Sequence, residues 1–286
     1  MLNYETLLSW PFEDVEQTYS ERDSILYALG LGLGSDPLDK HQLRFVYEEA
    51  LEALPTMGVV LGNPGLYLRD PATGVDWRRL VHGEQGLVVH RPLRAAATTV
   101  SRNHIESIVD KGEGRGALVY ATRETHDSAT GELLCTTTSS AFCRADGGFG
   151  GPSGPVRPVH AVPDREPDAV VSHPTLPQAA LIYRLSGDYN PLHADPDIGR
   201  SAGFERPILH GLCTYGIAGW AILSTLADHD TSRLRRLDVR FSAPVIPGDT
   251  IDTLIWREGD GQAAFRCRVA ARNSTVIDNG YCEVSA

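Results

Sequence analysis

Residues Tyr183–Thr214 read YRLSGDYNPLHADPDIGRSAGFERPILHGLCT, and the rest of the chain is best understood outward from them. An acid, an amide and an imidazole (Asp188, Asn190 and His193) fall within six residues. Pro191 lacks a backbone N–H and cannot sit inside a helix, so these side chains stand on a loop where they can converge. His210-Gly211 ends the stretch and leads directly into Leu212–Leu226. That segment is apolar on nearly all sides, which marks a buried helix. Its Gly216 and Gly219 would let another backbone approach closely. His210, Thr214, Tyr215 and Ser224 interrupt the apolar run and Asp228 follows it, so a core helix is expected and a membrane span is not.

A long helix wrapped by a strongly curved antiparallel sheet fits this pattern. Two paired runs of β-branched and alternating residues are available. Gly116–Thr125 and Leu133–Arg144 flank a turn at Ser128–Gly131, and Gln262–Arg272 and Thr275–Val284 flank Asn273-Ser274. Between the pairs, Gly147–Asp168 is dense in glycine and proline and reads as a surface linker. The expected organisation is therefore a first half, 1–146, a linker, 147–168, and a second half, 169–286.

Short strings repeat between the halves. Ile25–Gly30 resembles Leu181–Gly187, and His82-Gly83 resembles His210-Gly211, which suggests a duplicated unit with insertions. After Gly187 come Asp188, Asn190 and His193; after Gly30 come Leu31-Gly32-Leu33-Gly34. One equipped half predicts one active site per chain, with His82-Gly83 either a remnant of a second or an interface feature. Helices are expected at Ser24–Leu31, His41–Leu54, Pro177–Leu185 and Leu212–Leu226, the second from the helical spacing of Leu43, Val46, Tyr47, Ala50, Leu51 and Leu54.

The composition is that of a globular protein, 42% hydrophobic and 22% charged over 286 residues. A net charge of −11 argues against nucleic acid as a partner. Five cysteines without close metal-ligand spacing suggest a reducing compartment, expected to be the cytoplasm. No secretory leader is expected in the acidic Met1–Gln17. Neither a Gly-rich nucleotide loop nor a Gly-x-Ser-x-Gly elbow occurs, and His210 with Cys213 lacks the second ligand pair of a zinc site, so no metal or cofactor is expected.

Asp188 and His193 can share one water molecule, taking a proton from it and returning a proton elsewhere. His193 suits this because its ordinary pKa is near neutrality. Gly211, at the start of a helix, can offer its N–H and the helix dipole to a developing negative charge.

With these residues in place, the segment resembles the hydratase 2 motif of MaoC-like (R)-specific enoyl-CoA hydratases, whose larger members carry two hot-dog units in one chain. Val239–Thr250 also resembles the family's strand-and-turn signature, whereas Gly199 departs from its usual Ala or Ser. The resemblance implies an α+β double hot-dog fold, two curved antiparallel sheets each wrapping a helix. It implies Asp188 and His193 as the catalytic pair, Asn190 in a positioning role and Gly211 as the oxyanion donor. The implied reaction is hydration of trans-2-enoyl-CoA to (R)-3-hydroxyacyl-CoA, or its reverse, with CoA as part of the substrate. His210, Arg184 and Arg206 are candidates for substrate binding, and Arg184, Arg200, Arg206, Arg235 and Arg236 for CoA phosphates. A homodimer is implied by resemblance alone. The alternatives are an acyl-CoA thioesterase, a dehydratase acting on acyl carrier protein, and a non-catalytic acyl-binding subunit. A first half without a long apolar helix after His82-Gly83 is expected to widen the acyl tunnel.

Overall fold

The computed structural model describes residues Met1–Ala286. The first half supplies β1 (Val15–Tyr19), β2 (Leu80–Val89), β3 (Ala97–Asp110), β4 (Ala117–Asp127) and β5 (Leu133–Cys143). The second supplies β6 (Ala169–Pro174), β7 (Leu234–Phe241), β8 (Thr250–Gly259), β9 (Gln262–Val269) and β10 (Ser274–Val284). Both hairpins read from the sequence are present, as β4–β5 and β9–β10. The strands lie in the order β1-β3-β4-β5-β2-β7-β10-β9-β8-β6, every neighbouring pair antiparallel. Read from its outer edge inward, each half follows the same path, first strand, third, fourth, fifth, second. The two sheets are joined along β2–β7, where Glu84–Val88 pairs with Arg240–Arg236, into one ten-stranded sheet. This is the α+β double hot-dog architecture.

The helices are α1 (Tyr4–Leu8), α2 (Glu21–Leu31), α3 (Lys40–Leu43), α4 (Ala179–Tyr183), α5 (Pro196–Ser201) and α6 (Gly211–Leu226). α6 is the long buried one: every residue from Cys213 to Leu223 is buried. Each fully buried Ile or Leu in it contributes roughly 1.5–3 kcal/mol. Its glycines admit the first half. A Cβ at Gly216 would stand 2.6 Å from Leu31 Cδ2, and one at Gly219 2.4 Å from Thr56 Cγ2. On the first half's side α6 meets α2 and a 3-10 turn, Pro55–Val59, neither as long as itself. α6 therefore serves as the packing centre for both halves.

α2 and α4 carry the repeated strings and lie against each other. The Tyr27 and Tyr183 rings are 5.8 Å apart, and a Cβ on Gly30 would meet Tyr183 Cα at 3.3 Å. The other repeat is not one. His82-Gly83 lies inside β2 and precedes no helix, so it is not the counterpart of His210-Gly211. The helix expected at His41–Leu54 is also absent beyond α3. Packing overrides the spacing there. Phe45 turns in against Trp220 with rings 5.6 Å apart, and the chain reverses at Ala50 (φ 57) so that Ala53 and Leu54 reach the core. Tyr47, on the expected apolar stripe, is exposed.

The linker between β5 and β6 has no regular element and crosses the outside of the sheet. Asp110 accepts from the N–H groups of Gly148 and Gly150, and its own N–H donates to Pro152. Farther along, Arg157 pairs with Glu106, and the Asn279 side chain donates to the His160 carbonyl.

Candidate active site

The loop after α4 is shaped locally. A 3-10 turn over Arg184–Ser186 stops at Gly187, whose φ of 120° is a conformation other residues rarely adopt. The Asp188 carboxylate then accepts from the N–H of Asn190 at 3.1 Å. The Asn190 side chain in turn accepts from the N–H of Leu192 at 3.2 Å, capping the turn Pro191–His193. Pro191 occupies the first position, where its missing N–H costs nothing. Asp195 caps α5 in the same manner. Gly199, buried, lies against the backbone of Arg206 and Pro207, where a Cβ would have 3.2 Å to the Arg206 carbonyl carbon. The departure from Ala or Ser at this position thus accompanies a close return of the loop.

His193 is buried, and its Nδ1–H donates to the Ile208 carbonyl at 2.8 Å. A carbonyl can only accept, so the neutral ring keeps its lone pair on Nε2. The ring lies on that of His210, centroids 3.7 Å apart and planes 28° from parallel. His210 donates from Nε2 to the backbone carbonyl of Asp188 at 3.2 Å and packs its other side toward Tyr183, 5.1 Å between centroids. His210 is 1% exposed. One ligand-type atom from each of Asp188, His193 and His210 falls within 4.8 Å of the others, the one such metal-competent grouping in the chain.

Burial shifts both imidazoles in one direction. His193 is held below the ordinary imidazole value, the carbonyl of Ile208 and the Asp188 carboxylate offsetting only part of the loss of solvent. His210 is pushed down to about 4, first by burial and then by the neighbouring His193. Near neutral pH the pair is uncharged, and His193 presents an acceptor nitrogen beside the half-buried Asp188.

Gly211 opens α6, and its N–H is among those a helix leaves without an internal partner. The helix dipole favours negative charge there. A Cβ on Gly211 would lie 3.2 Å from Cε1 of Phe241, so glycine lets that ring close over the helix start. Phe241 also touches His82, ring centroids 4.9 Å apart. Sequence reasoning quoted Phe241 within Val239–Thr250 without giving it a role, and wrongly matched His82-Gly83 to His210-Gly211; of the two roles it left for His82-Gly83, the interface feature fits its place beside the β2–β7 seam.

The arginines separate. Arg184 extends over the Tyr189 ring at 5.0 Å, on the Asp188 loop, and Arg206 is exposed near the loop's return. Arg200 is paired with Asp197, and Arg236 with Asp238 at 2.7 Å. Arg235 is exposed on β7.

A carboxylate and a neutral imidazole beside a free helix N-terminus, on a double hot-dog, define a lyase of the MaoC-like hydratase and dehydratase class. The comparisons with known proteins agree. Residues 158–279 match the MaoC like domain, and residues 17–145 match the MFE-2 hydratase 2 N-terminal domain. The chain is 36% identical to enoyl-CoA hydratase 2, peroxisomal, of Arabidopsis thaliana, over 99% of this chain and 95% of that protein. It is 40% identical to peroxisomal multifunctional enzyme type 2 of Mus musculus over 93% of this chain, and spans 36% of that longer protein. The solved structure of a MaoC-like dehydratase from Phytophthora capsici superposes with a TM-score of 0.88 at 32% identity, over 99% of this chain and 98% of that one. The chain belongs to the hydratase 2 family of MaoC-like proteins.

Proposed function

We propose that this protein adds water to trans-2-enoyl-CoA to give (R)-3-hydroxyacyl-CoA, and catalyses the reverse dehydration. The observation that carries the reading is the convergence of Asp188, the Nε2 lone pair of His193 and the start of α6 on one side of the loop. A water molecule has two O–H bonds, and one can go to each acceptor. Asp188 takes the proton as the hydroxyl oxygen bonds to the β-carbon. The electron pair of the double bond moves to the thioester oxygen, where the N–H of Gly211 stabilises the enolate. The proton returns to the α-carbon, restoring the carbonyl. His193 holds the water and shares in the proton transfer. Addition of both parts of water to one face, the outcome implied by the family, fits an acid–base pair on one side of the substrate.

Asn190 fixes the turn that aims His193. His210, buried beneath His193, is assigned to orienting the loop and not to contact with the acyl group. Arg184 and Arg206 are assigned to the CoA side of the substrate. The chemistry draws on side chains and backbone only, without a separate cofactor or metal. A homodimer is proposed from the family, and sedimentation of the purified protein tests it. The five free, buried cysteines fit a reducing compartment, for which we propose the cytoplasm; the two named relatives are described as peroxisomal. No helix is long and apolar enough to cross a membrane.

The direct test is loss of the enoyl-thioester absorbance with a panel of trans-2-enoyl-CoAs, run beside a thiol reagent. Loss of the band without free thiol supports hydration. Thiol release makes the protein a thioesterase and overturns the reading.

A further inference from the structure

We infer that His82, delivered by the first half, is a positioning residue for the active site of the second half; this rests on the hydratase reading above. The backbone of β2 is built to deliver it. Pairing with β5 is regular on both sides, but the register slips between His82, opposite Ala141, and Glu84, opposite Ser140. Gly83 is the extra residue of a β-bulge, a device that bends a strand and re-aims a side chain. Only glycine fits there without displacement, since a Cβ would lie 2.8 Å from Ser140 Oγ. On its other side β2 pairs with β7 from Glu84↔Arg240 onward, and the last rung is held by an ion pair between those side chains at 2.7 Å. The ladder stops there, and His82 and Phe241 meet just past its end.

The ring of His82 is oriented by its own strand. Its Nε2–H donates to the Glu84 carbonyl at 3.0 Å, which fixes the tautomer and the face turned to Phe241. Phe241 then stands against the position a Cβ of Gly211 would occupy, at 3.2 Å. A continuous contact therefore runs from the bulge to the start of α6. Burial keeps His82 below the ordinary imidazole value, while the Asp188 carboxylate is near enough to act in the opposite sense. His82 thus closes the site across from the Asp188 loop as an uncharged ring. Its task is to hold Phe241 over the helix start, so that the Gly211 N–H meets the thioester oxygen and not solvent. This gives the His82-Gly83 dipeptide a role in the one site of the chain, in place of a remnant of a second.

The test uses the full chain and crotonyl-CoA. For His82→Ala we expect kcat to fall by about tenfold or more while KM stays within about threefold, the pattern of a lost transition-state interaction. His82→Phe keeps a ring against Phe241 and is expected to recover most of kcat. A structural role alone would not alter the polarisation of bound substrate. The enoyl band of crotonyl-CoA bound to Asp188→Asn should therefore be red-shifted, and the shift should shrink when His82→Ala is added at unchanged melting temperature. Full kcat in His82→Ala overturns the inference, as does an unchanged band shift or failure of His82→Phe to recover activity. If those variants behave as wild type while Asp188→Asn is inactive, the hydratase reading stands and the His82 role falls. If the wild type fails to hydrate crotonyl-CoA or any longer enoyl-CoA, both fall.

Discussion

Replacing Asp188 by asparagine is the most informative perturbation, because it changes the chemistry and almost nothing else. The side chain keeps its shape, and the amide oxygen can still accept from the N–H of Asn190 at 3.1 Å. The cost in stability is thus confined to one hydrogen bond weakened from charge-assisted to neutral, about 1 kcal/mol or less. The cost in rate is much larger. The new NH2 group lies within reach of His193, the ligand-type atoms at 188 and 193 falling within 4.8 Å of each other, and cannot accept a proton. Loss of a general base lowers turnover by about 100- to 10,000-fold, which corresponds to roughly 3 to 5.5 kcal/mol of barrier. Hydration of a trans-2-enoyl-CoA followed by absorbance, with a thermal melt of the same sample, measures both quantities. The double variant with His193→Ala adds a stricter criterion. Two groups acting on one water lose little more together than the worse single variant, whereas independent groups lose the product. Turnover of Asp188→Asn within about threefold of wild type, or a multiplicative double variant, would refute the shared-water mechanism.

Three further outcomes follow from the same geometry. Because His193 must be neutral to accept and burial holds its pKa below the ordinary imidazole value of 6.5, kcat/KM should be level from pH 7 down past that value and fall only on further acidification; an acid limb centred above about 6.5 would contradict this. His210 binds its proton at about 4 when folded but near 6.5 when unfolded, so the unfolded state takes up the extra proton between those values. Stability should therefore drop as pH falls through that window, and denaturant melts of His210→Phe should show a flatter profile there. Gly216→Ala places a Cβ 2.6 Å from Leu31 and should lower stability by about 1–3 kcal/mol in a chemical melt, with no clash for substrate to relieve.

How much was legible depends on whether local chemistry or distant packing decided each feature. The turn at Gly187–His193 was readable because Gly, Asn and Pro each have a narrow conformational use, and the loop's function follows from the side chains they release. The buried helix was readable from an apolar run too uniform to lie on a surface. The segment at 41–54 was misread because helical spacing was present while the deciding contact, Phe45 on Trp220, lies 175 positions away. The match of His82-Gly83 to His210-Gly211 fails for a related reason. Two letters matched His210-Gly211, but a bulge and a helix start use glycine differently, one to clear Ser140 and the other to admit Phe241. Phe241 stands within the Val239–Thr250 signature, but neither its contact with His82 nor the β2–β7 seam leaves a local mark in the sequence.

The asymmetry between the halves has a physical cause. Two complete hot-dog units would each need a long central helix under the shared sheet. Here Gly216 and Gly219 let α2 and the Pro55–Val59 turn settle directly onto α6, so the first half completes its core with the second half's helix. Having no such helix, the first half has no second N-terminus to bind an oxyanion, and the polar residues after Gly30 would have nothing to act with. What it contributes lies at the seam, where the same strand that joins the sheets ends beside Phe241 and Gly211. That the equipped site stands in the second half and is supported by the first half thus fits one packing choice. Restoring Asp and His residues after Gly30 alone should create no second activity.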